Sequence, residues 1–77
     1  MSSKPPVISG EDLIRALEKF GDIRVRQKGS HVRLRHATDT RRLPITVPLH
    51  DEIAFDTLKR ILRDSKTSTE ELNSALS

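Results

Sequence analysis

Apolar side chains recur along this chain first at helical spacing, then at the two-residue spacing of strands, then at helical spacing again. Leu13, Leu17 and Phe20, with Ile14 and Ala16 beside them, lie three and four residues apart, the stripe of a helix that buries one side. Ser9 has the side chain of an N-cap, Glu11 and Asp12 suit the positive end of the helix dipole, and Gly21 fits the C-terminal end. The pattern predicts an amphipathic helix over 10–20. Beyond Gly21, Ile23 and Val25 alternate with Arg24, Arg26 and Lys28, Gly29 and Ser30 form a turn, and Val32 and Leu34 alternate with His31, Arg33 and Arg35. This predicts two strands of a hairpin, each with one buried and one wet face, and it groups Arg24, Arg26, Lys28, His31, Arg33 and Arg35 on the wet side.

A polar loop over 37–41 leads to a third alternating run, Leu43, Ile45 and Val47, in which Pro44 marks an edge strand or an irregular start. Leu58, Ile61 and Leu62 then form the stripe of a second helix over 56–64, with Ile53 and Phe55 expected to reinforce it from just before. Thr67 with Glu70, or Ser68 with Glu71, offers a capping box for a short third helix carrying Leu72, Ala75 and Leu76. The expected fold is α+β, in the order α-β-β-β-α-α, with a three-stranded antiparallel sheet and helices on one face only. Residues 1–8, holding two prolines, two serines and no periodicity, are expected to be a flexible tail contributing little to the core. Residues 9–77 are expected to be a single domain.

Composition narrows the class. Seventy-seven residues allow one core. Nine Leu, six Ile, four Val and two Phe are over a quarter of the chain, above the roughly 20% below which chains tend to stay disordered. The absence of cysteine removes disulfides and thiolate metal sites and is compatible with a reducing cytoplasm, the expected location. Neither a membrane-spanning run nor a signal-peptide core is expected. The formal charge of +3 conceals an asymmetry: residues 22–42 carry seven positive and two negative side chains, whereas residues 51–77 carry four positive and six negative. A central basic patch attracts phosphate backbones.

There is no phosphate-binding glycine loop, no dinucleotide signature and no Cys/His spacing for metal, so neither metal nor cofactor is expected. The three histidines are the side chains that ordinarily titrate near neutrality. His31 begins a strand just after a glycine turn, with Lys28 before it and Arg33 on its own face. A phosphate docked on those cations would bring a ribose hydroxyl to the imidazole, and in RNA that hydroxyl is an internal nucleophile needing only a base and cations to act. His36 shares the parity of Val32 and Leu34, which suggests a hydrogen-bonded, half-buried role. His50, beside Asp51, is read as capping or orienting a connection. For each arginine taken singly a solvated face is the plain alternative, and their common parity weighs against it.

The segment Arg26-Gln27-Lys28-Gly29-Ser30-His31 resembles the R-x-K-G-S-H signature of the HicA (YcfA-like) toxins of bacterial toxin-antitoxin systems. Three further blocks follow in the family's order: Ile45-Thr46-Val47-Pro48, Thr57 to Leu62, and Thr69-Glu70-Glu71-Leu72. The resemblance spans about Ser9 to Leu76. It implies a fold like the double-stranded-RNA-binding domain, mRNA interferase activity, and a cognate HicB-like antitoxin that covers the active site. It also implies a catalytic histidine at His31, presented by Gly29 and Ser30, with Lys28 on phosphate. Arg24, Arg26, Arg33 and Arg35 complete the expected RNA-binding set. The chain departs from the family in having Asp22 after Gly21 where an aromatic residue is usual, and in lacking Tyr and Trp. With no aromatic platform, backbone and shape are expected to be read more than base sequence. A non-catalytic RNA-binding module on the same face, and an interaction domain with an acidic partner, are the competing readings.

Overall fold

The computed structural model describes residues 5–77; the part of the expected tail at residues 1–4 lies outside them. Six elements occur in the expected order: α1 (Gly10–Glu18), β1 (Asp22–Lys28), β2 (His31–His36), β3 (Ile45–Pro48), α2 (Phe55–Asp64) and α3 (Thr69–Leu76). The strands form one antiparallel sheet in the order β1-β2-β3, so β3, just after Pro44, is an edge.

Each helix starts where its local chemistry dictates. The Ser9 hydroxyl accepts from the Asp12 backbone N–H at 3.1 Å, satisfying a donor that the first turn leaves unpaired. Gly10 donates its N–H to His50 O at 2.9 Å, and a Cβ at Gly10 would lie 2.0 Å from the Pro48 carbonyl oxygen. Only glycine lets α1 begin so close to the end of β3. α1 ends at Glu18, two residues short of the expected end, and closes through tight bonds from Lys19, Phe20 and Gly21 back to Ala16, Leu17 and Glu18. At α3 the capping box uses Ser68 and Glu71, each side chain bonded to the other residue's backbone N–H.

Leu13, Ile14, Ala16 and Leu17 of α1, Val32, Leu34, Ile45 and Val47 of the sheet, and Leu58, Ile61, Leu62 and Leu72 behind them form one buried cluster. Burying each of the larger side chains favours folding by about 1.5–3 kcal/mol. Ile8 joins this core, and its carbonyl accepts from Ile53 N–H at 2.8 Å. The packed fold therefore includes Ile8, which the expected tail had left out of it. Two other apolar residues lie outside the expected stripes. Phe55 opens α2 at 55% exposure with Lys59 Nζ 5.3 Å from its ring centroid, and Leu43, also 55% exposed, precedes the strand it was expected to begin.

The largest correction is in β1. Its pairing with β2 runs Asp22 to His36, Ile23 to Arg35 and Arg24 to Leu34, then slips at Val25 and resumes with Arg26 to Arg33, Gln27 to Val32 and Lys28 to His31. Residues directly opposite in an antiparallel pair share a face. Asp22 and Arg24 thus face the helices, while Ile23, Val25, Arg26 and Lys28 face away from them. A β-bulge inserts one residue and reverses the alternation beyond it, which leaves Ile23 41% and Val25 45% exposed.

Candidate nucleic-acid interface

The helix-free face of the sheet carries a shallow groove of about 620 Å³ lined by Val25, Arg26, Lys28, His31, Arg33 and Thr46. Three strands assemble it. On the central strand, His31 and Arg33 alternate with buried Val32 and Leu34, so both point outward. Lys28 stands across from His31 on β1 and Pro48 across from it on β3; Arg26 and Thr46 flank Arg33 in the same way. Arg33 Nη1 donates to Thr46 Oγ1 at 2.9 Å, which fixes one guanidinium in the groove wall.

The Gly29-Ser30 loop joins Lys28 to His31 directly. Gly29 has φ +57° and Ser30 does not share the positive φ, the pattern of a II′ hairpin turn with glycine first. Behind it, Ser30 O accepts from Leu49 N–H at 2.7 Å, tying the hairpin tip to the end of β3. The exposed imidazole of His31 is thus held by a short turn and two neighbouring strands.

Charge is distributed selectively. Arg15, Arg24, Arg41, Arg42 and Arg63 each lie against a carboxylate. Among the described residues Arg26, Lys28, Arg33 and Arg35 make no ion pair, and no carboxylate lines the groove. Cations left without local counter-charge are free to receive an anion.

Arg24 does not belong with them, contrary to the expectation from simple alternation. It reaches toward α1, with Nη2 2.6 Å from Glu11 Oε2 and Nε 3.2 Å from Glu18 Oε2. Glu11 is held below the usual carboxylate range, first by its hydrogen bond from Arg24. Arg35 is on the open face, opposite Ile23, but beyond the groove, lining a separate cavity with His36 and Arg42. His36 is half-buried and hydrogen-bonded as its parity suggested, Nε2 donating to Phe20 O at 2.6 Å. At His50 it is the backbone carbonyl that caps α1.

Sequence reasoning missed a buried polar group at the far end of the sheet. Asp22 is buried with Oδ2 unpaired, and nearby Arg42 has Nη1 buried and unpaired. Burial pushes the Asp22 carboxyl up from its ordinary value, and the nearby Arg42 charge pulls it partly back. The signal available in sequence was a charge directly beside the helix-terminating glycine. Among the described residues no three His, Cys, Asp or Glu side chains are grouped to hold a metal ion, and no helix is long and apolar enough to cross a membrane.

No curated protein matches the chain. The family described as HicA toxin of bacterial toxin-antitoxin matches residues 10–66, from the first turn of α1 to the residue pair that follows α2. That span contains every strand, the Gly29-Ser30 turn and the whole groove around His31, and with that much of its length matched the chain belongs to the HicA toxin family.

Proposed function

We propose that this toxin is an endoribonuclease acting on mRNA, with His31 as the proton-transfer group and no metal in the step. The observation carrying this reading is the exposed imidazole of His31 beside Lys28, in a groove that also presents Arg26 and Arg33 and, among the described residues, no carboxylate.

An RNA phosphate seated on Lys28, Arg26 and Arg33 brings the adjacent ribose 2′-hydroxyl to His31. The imidazole takes the hydroxyl proton, and the 2′-oxygen attacks phosphorus. The bond to the 5′-oxygen breaks, that oxygen takes a proton from solvent, and a 2′,3′-cyclic phosphate remains on the upstream piece. Charge building on the phosphoryl oxygens is met by guanidinium and ammonium groups already in place, which reduces reorganisation during reaction. Gly29 and Ser30 present the histidine, and Arg35 extends the cationic face. Membership of a toxin-antitoxin family implies a cognate antitoxin. A HicB-like protein covering the groove fits exposed Val25 in its wall and exposed Ile23 further along β1, and the cytoplasm is where such a pair meets mRNA.

A non-catalytic RNA-binding module is the second reading, favoured by the presence of one histidine in the groove with, among the described residues, no second group of that kind lining it. The test is cleavage of RNA in EDTA by purified wild type and His31→Ala. Wild type is expected to cut, with the variant binding RNA and cutting at least about 100-fold more slowly. Equal cleavage by both removes His31 from the chemistry. Salt-sensitive RNA retention without cleavage by either establishes the second reading.

A further inference from the structure

The cations of the chain do not end at the groove. Along β2 the outward residues are His31, Arg33 and Arg35, and Arg35 lies on the order of 13 Å from His31 at the usual strand rise. Arg35 shares a cavity of about 230 Å³ with His36, Asp39 and Arg42. Asp39 and Arg42 also line a second cavity, about 460 Å³, together with Arg41 and Lys66.

Asp39 bonds Arg41 through both carboxylate oxygens, at 3.1 and 3.3 Å, and lies 3.7 Å from Arg42 Nε. One carboxylate orients two guanidinium groups and neutralises one charge. Among the described residues Lys66 makes no ion pair, and it is held at φ +56°, the left-handed region that a lysine seldom occupies. The Leu43 N–H donates to Asp64 O at 2.8 Å, which holds the β2–β3 loop against the end of α2 and so brings Lys66 to the arginines.

The opposite end of the groove has the opposite charge. The chain tied to Ser30 through Leu49 continues into exposed Asp51 and Glu52, and the start of α1 bonded to His50 carries exposed Asp12. A polyanion seated at His31 is therefore repelled past the hairpin tip and drawn along β2 past Arg33 and Arg35.

Resting on the RNA reading above, we infer that the Arg41, Arg42 and Lys66 cavity is a second phosphate subsite. It holds the RNA backbone several nucleotides from the scissile bond and gives the bound strand a single direction across the sheet. Arg42, only 16% exposed at its side chain, is the fixed wall between the two cavities, while Arg41 and Lys66 supply the accessible charge.

The test compares binding of 2′-O-methyl oligoribonucleotides, which resist 2′-hydroxyl attack, three and eight nucleotides long, to wild type and Arg41→Ala/Lys66→Ala over a range of salt. Circular dichroism and Tm establish that the variant is folded. The subsite requires the variant to lose about 3- to 10-fold in octamer affinity and much less in trimer affinity. It also requires the salt slope for the octamer to fall by about 0.7 per lost phosphate contact. Equal octamer affinity and slope, or equal losses on the two lengths, overturn the subsite and leave the groove untouched. Failure of the wild type to bind either oligonucleotide overturns the RNA reading itself.

Discussion

Gly21 lies directly against the ring of His36: a Cβ at position 21 would come within 2.6 Å of Nε2 and 3.0 Å of Cε1. The ring is also clamped by hydrogen bonds. Nε2 donates to Phe20 O at 2.6 Å, and Nδ1 accepts from the N–H groups of Thr38 and Asp39 at 3.2 and 2.8 Å. One imidazole therefore joins the α1–β1 turn to the β2–β3 loop, the same loop that carries Arg41 and Arg42. His31 and His36 stand at opposite ends of one strand, the first exposed and the second clamped.

Gly21→Ala combines two penalties, a strained φ of +104° and the collision with His36. The expected loss is about 2–4 kcal/mol in urea unfolding. In a His36→Ala background the collision disappears and the strain remains, so the same substitution should be about 1 kcal/mol milder there. Strictly additive losses in the double-mutant cycle would show that the ring is not what position 21 meets.

Val25 and Val32 test the bulge. They lie on adjacent strands, but Val25 is 45% exposed and Val32 is 1% exposed. Val32→Ala should cost about 2 kcal/mol, counting lost transfer energy and a cavity, whereas Val25→Ala should stay within about 0.5 kcal/mol. Arg24→Ala belongs to the same test: it leaves RNA affinity near that of wild type, while Arg26→Ala and Arg33→Ala weaken it. Equal RNA losses at the three arginines would return Arg24 to the open face.

The order of elements and the outward parity of β2 were legible because they depend on local patterns that tertiary structure did not override. Leu13, Ile14, Leu17, Val32 and Leu34 are buried as their spacing required. What escaped was the consequence of a single extra residue. Nothing in Arg24-Val25-Arg26 announces a bulge, since Val25 suits a strand wherever it points, yet the slip there transfers Arg24 to the helix side and leaves Arg26 and Lys28 outside. The complementary signal was present but distant, in Glu11 and Glu18 seven residues apart on one helix face, ready to receive a guanidinium. Ile8 was missed for a similar reason: a short apolar pair after two prolines has no period, and only the return of the chain at Ile53 gives it a partner.

Asp22 and Glu71, whose carboxyls are displaced in opposite directions, predict opposite pH responses. Burial raises the Asp22 carboxyl, so the folded state favours its neutral form. That contribution is complete below the unfolded-state value of about 3.9 and is lost as pH rises through the raised folded value. Asp22→Asn should therefore be more stable than wild type at pH 7, with the gain vanishing toward pH 3. The Glu71 carboxyl is lowered, chiefly by its hydrogen bond from the Ser68 backbone, so its contribution is complete above the unfolded value and fades as pH falls through the depressed one. Glu71→Ala should lower Tm at pH 7 and approach wild type in acid. Thermal melts across pH 3–8 read both trends; a constant offset for Asp22→Asn would contradict the buried-charge account.

Gly29 separates the geometry of the hairpin turn before His31 from its packing. A Cβ there would meet nothing within 4 Å, so substitution brings no collision, only the strain of a side chain at φ +57°. Gly29→Ala should cost about 1–2 kcal/mol, lowering Tm by several degrees in a domain of this size. Gly29→Asn should cost less, because asparagine tolerates a positive φ better than alanine does. The Lys28–His31 pair depends on this turn, so RNA cleavage should follow the same order: wild type, then asparagine, then alanine. An alanine variant as stable and active as wild type would mean that the turn can change type without moving the imidazole, and that the positive φ of Gly29 is not what aims His31 into the groove.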